Sequence, residues 1–196
     1  GDITAVSIKT VDDMQEITSK LLSGNDAEFK QYRTVVIDNI SEWQRIDLEK
    51  ITADLGAKRR PDEVQLQDYN VSTNRIGRLI RTYRDMPMNV IVTAWEKEQK
   101  EGGEDGKIQW IRPALTEALC KNIMGYMDAV WYLYTKEEGE GDATKLKHKL
   151  LTHDRGVFRA KTRGQAFPKE LGSVVEEPNM AVLFDLYLKS ERAVKQ

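Results

Sequence analysis

Four residues that favour a buried strand, Thr34-Val35-Val36-Ile37, run directly into an acid, Asp38, and then into a polar stretch that opens a helix. A second run of the same kind, Met88–Ala94 (MNVIVTA), follows a stretch, Val71–Arg84, in which Ile76, Leu79, Ile80 and Tyr83 fall at helical core spacing. Short apolar strands alternating with amphipathic helices predict an α/β fold with parallel strands, because a parallel connection needs a crossover long enough to hold a helix.

The acid at the carboxyl end of the first strand gives Thr34–Trp43 (TVVIDNISEW) the Walker B pattern, in which an Asp holds a Mg²⁺-bound water beside nucleotide phosphates. The plain alternative is an Asp that only caps the next helix, as in any parallel α/β domain. The usual partner of Walker B is a GxxxxGK[ST] phosphate loop on the first strand–helix turn. Only 33 residues precede Thr34, and none of them spells that loop. Gly102–Lys107 (GGEDGK) imitates it but is one residue short, with Ile108 where a Mg²⁺-binding hydroxyl must stand. It also carries two acids where phosphate would be repelled.

At 196 residues, with 40% hydrophobic and 32% charged residues, the chain has the composition of one soluble globular domain. A formal net charge of −2 gives no global attraction to nucleic acid, so any such binding must come from a local basic patch. The one cysteine, Cys120, excludes a disulfide framework and fits a reducing compartment. No apolar run reaches membrane-spanning length and no signal-peptide pattern opens the chain, so the expected location is the cytoplasm, with no membrane partner.

Along the rest of the chain, Ile3–Ile8 alternates as a short strand, Val11–Leu22 reads as a helix ended by Gly24, and Ser41–Leu55 reads as the helix behind the Tyr32–Asp38 strand. Lys58-Arg59-Arg60-Pro61 is a basic loop, and Glu96–Trp110, polar and Gly-rich, is the expected mobile loop. Pro113–Gly125 is a helix with Pro113 near its first position. Asp128–Tyr134, Lys147–His153 and Val157–Lys161 read as consecutive strands, and Asn179–Arg192 as a final helix.

Two charge features stand out. Arg75, Arg78, Arg81 and Arg84 recur on the helix face opposite the apolar stripe, which is a solvated face or else a phosphate or subunit contact. Lys145–Arg163 (KLKHKLLTHDRGVFRAKTR) carries seven Lys or Arg and two His against one acid, Asp154. On strands, Lys145, Lys147 and Lys149 share one face, as do Arg159, Lys161 and Arg163. Aligned cations repel, so an anionic partner would relieve them: nucleic-acid phosphate or a neighbouring subunit's nucleotide. Lys145, Lys147, Lys149 and Arg159 are thus candidate DNA contacts. His148 and His153 have no metal-ligand spacing with Cys120, and no nucleophile–base pair can be argued.

Taken in order, these pieces resemble the phage RecA-like ATPases of the phage nucleotide-binding or Sak-type single-strand-annealing family. The stretches that carry the likeness are TVVIDNISEWQR (Thr34–Arg45), LQDYN (Leu66–Asn70), RLIRTYRDMPMNVIVTAWEKE (Arg78–Glu98), RPALTEAL (Arg112–Leu119), GYMDAVWYLY (Gly125–Tyr134) and FRAKTRG (Phe158–Gly164). The resemblance implies one RecA-like P-loop NTPase domain over residues 1–196, its mostly parallel sheet extended by antiparallel strands and its amino-terminal P-loop unit absent. It implies ATP and Mg²⁺ as cofactors, with Asp38 as the Walker B carboxylate holding Mg²⁺ through water. Lys161 and Arg163 match the Lys-x-Arg-x-Gly finger by which RadA and DnaB ATPases reach a neighbour's γ-phosphate. Trp95 departs from the polar sensor expected after the second strand, leaving Thr93 as a weaker substitute, and Glu96–Trp110 stands at the first DNA-binding loop.

The expected function is a RecA-like ATPase of phage DNA recombination or single-strand annealing, acting as a homo-oligomer on single-stranded DNA in the host cytoplasm. The alternatives are a non-hydrolysing module that offers Lys161 and Arg163 to an active subunit, and a DnaB- or RadA-like helicase motor fragment. The missing phosphate loop reads as an amino-terminal truncation, so this chain alone is not expected to hydrolyse ATP. Calorimetric titration of residues 1–196 with ATP and Mg²⁺ should accordingly show no micromolar binding. Heat of binding that disappears in Asp38→Ala would reveal a phosphate site of another kind.

Overall fold

In the computed structural model, which describes residues 3–24, 29–55, 63–102, 105–139, 144–163 and 172–186, local capping chemistry sets the first helix. The α1 helix, Val11–Ser23, opens with a reciprocal cap: Thr10 Oγ1 accepts the Asp13 N–H at 3.1 Å, and the Asp13 carboxylate accepts the Lys9 and Thr10 N–H groups. Those bonds, the Lys9 N–H first, hold the Asp13 carboxyl below its ordinary value. Gly24 closes the helix at φ 58°, a left-handed conformation that costs glycine nothing.

Backbone proximity divides the chain into two units: residues 1–97 with 113–126, and residues 98–112 with 127–196. In the first, β1 (Thr34–Ile37) and β2 (Asn89–Val92) pair in parallel, Thr34 opposite Asn89 and Ile37 opposite Val92. Between them run α2 (Ile40–Asp54), capped where Asn39 Oδ1 accepts the Glu42 N–H at 2.8 Å, and α3 (Leu66–Arg84). The α3 helix starts five residues before the expected Val71, because Asp68 accepts the Gln65 N–H and fixes an earlier first turn. The last helix of this unit, α4 (Glu117–Tyr126), packs on α3. Ile40, Trp43, Ile76, Ile80, Tyr83, Leu119 and Ile123 are buried here. The Tyr83 hydroxyl lies 3.0 Å from Thr18 Oγ1, tying α3 to α1, and burial raises its pKa.

In the second unit, most of β3 (Glu96–Lys100) and β4 (Ile108–Pro113) form a two-stranded ribbon. The β5 strand (Ala129–Val130) pairs antiparallel with β8 (Lys161–Thr162). The β6 strand (Tyr132–Glu138) pairs antiparallel with β7 (Lys145–Leu151), which pairs antiparallel with β9 (Val174–Glu176). Trp131 marks where the chain changes sheets, and its indole N–H donates to Thr162 Oγ1 at 3.0 Å. Residues 180–186 are helical, with Leu183 buried and Asn179 Oδ1 accepting the Ala181 and Val182 N–H groups. The rest of the expected Asn179–Arg192 helix, and the Lys58–Pro61 loop, lie outside the described residues.

Several expectations change. The mostly parallel sheet extended by antiparallel strands is replaced, among the described residues, by four small sheets, in which β1–β2 is parallel and β5–β8, β6–β7 and β7–β9 are antiparallel. Val36, expected in a buried strand, is 54% exposed. Ile3–Ile8 is no strand: alternation without a neighbouring strand leaves its amides unpaired in a ladder, and Ile3 is almost fully exposed. Glu96–Trp110 is largely ribbon rather than loop, since pairing between its own halves decides what polarity could not; Glu101 N–H donates to Lys107 C=O across the turn. Pro113 ends β4 instead of opening α4. Val157–Ala160 is not strand either. Its backbone makes only an isolated parallel bridge to Ile111, while a turn at Arg155–Phe158, with Gly156 at φ 58°, and the Asp154 carboxylate, accepting the Ala160 N–H, take up other groups.

The arginine row of α3 also resolves. Arg75, half-buried, reaches Asp47, fully buried on α2, at 2.8 Å, and so compensates an interior carboxylate. Arg81 and Arg84 lie over the Tyr126 ring, each 5.6 Å from its centroid, whereas Arg78 is exposed. Arg75→Ala should cost on the order of 3 kcal/mol because it strands a buried carboxylate. Arg78→Ala should change stability by less than about 0.5 kcal/mol. Urea denaturation of the two variants checks the difference, and equal losses would contradict it.

Candidate functional site

In the first unit the site grows from the parallel pair. The Thr93 N–H donates to Ile37 C=O at 3.0 Å, and the Ile40 N–H donates to Thr93 C=O at 2.9 Å. These two bonds lock the exits of β1 and β2 together just where the chain turns into α2. Asp38, at the β1 exit, therefore faces Thr93, and the Thr93 hydroxyl donates to Asp38 Oδ1. Both residues are exposed, and the Asp38–Asn39 peptide is cis. Trp95 is fixed by its backbone: its N–H donates to Ser41 Oγ at 3.1 Å and its C=O accepts from the Ala114 N–H at 2.7 Å. That leaves its indole 55% exposed, two residues beyond Thr93. Carboxyl ends of parallel strands are where α/β folds bind ligands, and an acid with a hydroxyl there suits a hydrated cation.

The other predicted residues lie in the second unit, in two groups. Lys161 and Arg163 flank Thr162, whose hydroxyl donates to Thr152 C=O at 2.9 Å and so holds the strand between them. Arg163 Nη1 lies 3.0 Å from Asp128 Oδ1, and its N–H donates to Asp128 C=O. Partial burial, then the Arg163 charge, push the Lys161 ammonium down from its ordinary value, with Asp128 offsetting part of the effect. Arg159, expected on a face with them, instead stacks 3.3 Å from the Trp110 ring centroid and pairs with Asp154 at 2.8 Å. Gly164 of the finger pattern lies outside the described residues.

On β7, the three lysines share a face as expected, but the anion they call for comes from the chain itself. Lys149 is 7% exposed, its Nζ bonded to Glu138 on β6 and 2.9 Å from Glu176 on β9. Lys147 Nζ lies 3.2 Å from Glu138 and 3.9 Å from Glu176. Lys149 is thus corrected from an open DNA contact to a structural ion pair, while Lys145 stays exposed at the end of the strand. The Lys149 and Lys147 ammonium groups hold the Glu138 carboxyl down to about 2 and, with Glu176, Glu138 raises Lys149.

The family model described as an AAA domain matches residues 1–164. The chain belongs to the AAA domain family. That places it among the nucleotide-binding P-loop ATPases. No curated protein and no solved structure matches it. Of the groups an ATP·Mg²⁺ cofactor would need, Asp38 offers a hard oxygen at a strand exit, and the Thr93 hydroxyl donates to it. The phosphate loop, a GxxxxGK[ST] cradle of backbone N–H groups, is not spelled within these 196 residues. Among the described residues, no three His, Cys, Asp or Glu side chains gather into a metal site, and no helix is long and apolar enough to cross a membrane.

Ser41, Asp128, Glu138 and Glu176 are contributors that the sequence reading missed. The signal for Glu138 was present: pairing of β6 with β7 sets it opposite Lys145, on the face of the lysines it neutralises, which follow two and four residues further along β7. Because Glu138 is depressed in the folded protein, its contribution is complete above the ordinary carboxyl value of 4.5 and fades as pH falls from there through about 2. Hydrogen-exchange protection of β7 and β9 should drop across that window. In Glu138→Gln the drop should shrink, and an unchanged profile would count against the pair.

Proposed function

We propose that this chain is the RecA-like core of a recombination or single-strand-annealing ATPase of phage type, working as an oligomer on single-stranded DNA in the cytoplasm. The observation that carries the reading is the Asp38–Thr93 pair at the carboxyl ends of two parallel strands, in a chain of the AAA domain family. Bound Mg²⁺·ATP supplies the transferable γ-phosphoryl group. Asp38 would hold the hydrated Mg²⁺ of that nucleotide, and the Thr93 hydroxyl donates to the same carboxylate.

Lys161 and Arg163 serve as the finger that a neighbouring subunit offers to the γ-phosphate, where paired cations offset charge spreading over the phosphoryl oxygens. Asp128 holds Arg163 within its own subunit, so engagement in trans exchanges that carboxylate for phosphate. A second reading is favoured by the lack of a GxxxxGK[ST] loop in residues 1–196: a non-hydrolysing module that lends Lys161 and Arg163 to an active subunit.

The test uses the product of the full reading frame that encodes this chain. Arg163→Ala should leave nucleotide binding nearly intact while turnover falls on the order of a thousandfold, as for arginine fingers generally. Mixing Arg163→Ala with Asp38→Ala should restore part of the activity, because hybrid interfaces pair an intact site with an intact finger. Mixed oligomers without recovery would place the cations' action within their own subunit. A full-frame product that binds no nucleotide would favour the second reading.

A further inference from the structure

The face of the β6–β7 hairpin that bears Lys147 and Lys149 has more on it than lysines. The strand register puts Tyr132, Tyr134, Lys136 and Glu138 of β6 beside Leu151, Lys149, Lys147 and Lys145 of β7. Successive residues of a strand alternate sides, so these eight share one face. Tyr132 and Tyr134 stack with ring centroids 6.0 Å apart, and Phe158 lies 4.7 Å from Tyr132. Aromatic rings followed by a row of cations fit a single strand of nucleic acid, with bases on the rings and phosphates on the lysines.

Part of that face is already covered. The β9 strand lies along β7 with Glu176 opposite Lys149, and it places the Glu176 carboxylate 2.9 Å from Lys149 and 3.9 Å from Lys147. The next residue, Glu177, accepts the His148 N–H at 3.1 Å and donates its own N–H to His148 C=O at 2.8 Å. Glu177 does this at φ 44°, a left-handed conformation that side chains other than Gly, Asn and Asp rarely adopt. Glu176 thus sits among the lysines, while Glu177 sits against His148, its carboxylate 3.9 Å from His148 Nδ1, and the three-residue edge strand is followed at once by an unfavourable backbone conformation.

We propose that β9 is an acidic strap: Glu176 occupies the lysine face of β7 in place of the phosphates of a single strand, Glu177 fastens the strap to His148, and the single strand gains the face by displacing both. This rests on the single-stranded DNA reading given above and adds its regulation. With the strap away, four lysines (Lys136, Lys145, Lys147 and Lys149) face one carboxylate, Glu138, which still holds Lys149 in place. The strap therefore sets a threshold: weak or isolated anions leave it seated, and a polyanion long enough to meet several lysines at once lifts it.

The test is fluorescence anisotropy of a labelled thirty-residue oligo-dT against the whole chain at two salt concentrations. Glu176→Gln with Glu177→Gln should tighten binding by about tenfold and steepen its salt dependence, since more phosphates are then neutralised. Lys145→Glu with Lys147→Glu should abolish binding. Glu16→Gln with Glu49→Gln, which changes net charge equally on other surfaces, should do neither. Oligonucleotide should also speed hydrogen exchange at the Glu177 amide. Binding by the Glu176/Glu177 variant alone would be the strongest support. If the lysine variant loses binding but the Glu176/Glu177 variant only matches the wild type or the charge control, the strap idea falls and the DNA reading stands. If none of the proteins binds, or binding ignores both salt and the lysines, both fall.

Discussion

Four residue pairs, Thr34–Ile37 against Asn89–Val92, decide where the chemistry of the first unit stands. Parallel strands end at the same level, so the residues just past their exits are neighbours although 55 positions separate Asp38 from Thr93 in sequence. The bonds from Thr93 to Ile37 and from Ile40 to Thr93 carry the ladder one step beyond the strands and fix the first turn of α2 against it. Slipping the register by one residue would turn Ile37, which is buried, toward solvent and send Asp38 away from Thr93. Burial of one side chain thus holds a carboxylate and a hydroxyl together.

What could be read from the residues follows from how local each cause is. The α1 and α2 helices were legible within a residue or so, because Thr10, Asp13, Asn39 and Gly24 sit at their ends and the apolar spacing runs between them. The Asp38–Thr93 pair was legible as two strand exits, though not as a hydrogen bond. The second unit was harder to read, because a strand there is defined by a partner that the local sequence does not contain. Trp131 interrupts what reads as one strand, and Val174–Glu176 becomes a strand only because β7 offers it an edge. The lysine row shows the same limit in electrostatics. Its three cations were visible in one stretch, while Glu138 and Glu176 approach from strands on either side.

The Asp47–Arg75 pair and the Glu138–lysine cluster differ in kind. Asp47 is wholly buried and meets one arginine, so it depends on that partner for compensation in a medium that solvates it poorly. Glu138 is more open to solvent and shares two lysines with Glu176, so each group has a second partner when one is lost. The first arrangement locks α2 to α3. The second tolerates exchange of one anion for another.

The first unit is also discontinuous along the chain: it stops after Lys97 and resumes at Pro113 with the residues leading into α4. In α4, Leu119, Cys120 and Ile123 are buried, and Tyr126 carries the ring met by Arg81 and Arg84 and the hydroxyl met by Arg81. During synthesis, then, α3 can pack on α1 and α2 as it emerges, but the side that meets α4 waits for some forty further residues. The ribbon is made inside that interval, yet Ile111 finds its partners, Val157 and Arg159, only later still. The order of translation therefore makes α4 a closing piece and gives the nascent chain a period in which its exposed helix surface is open to chaperones.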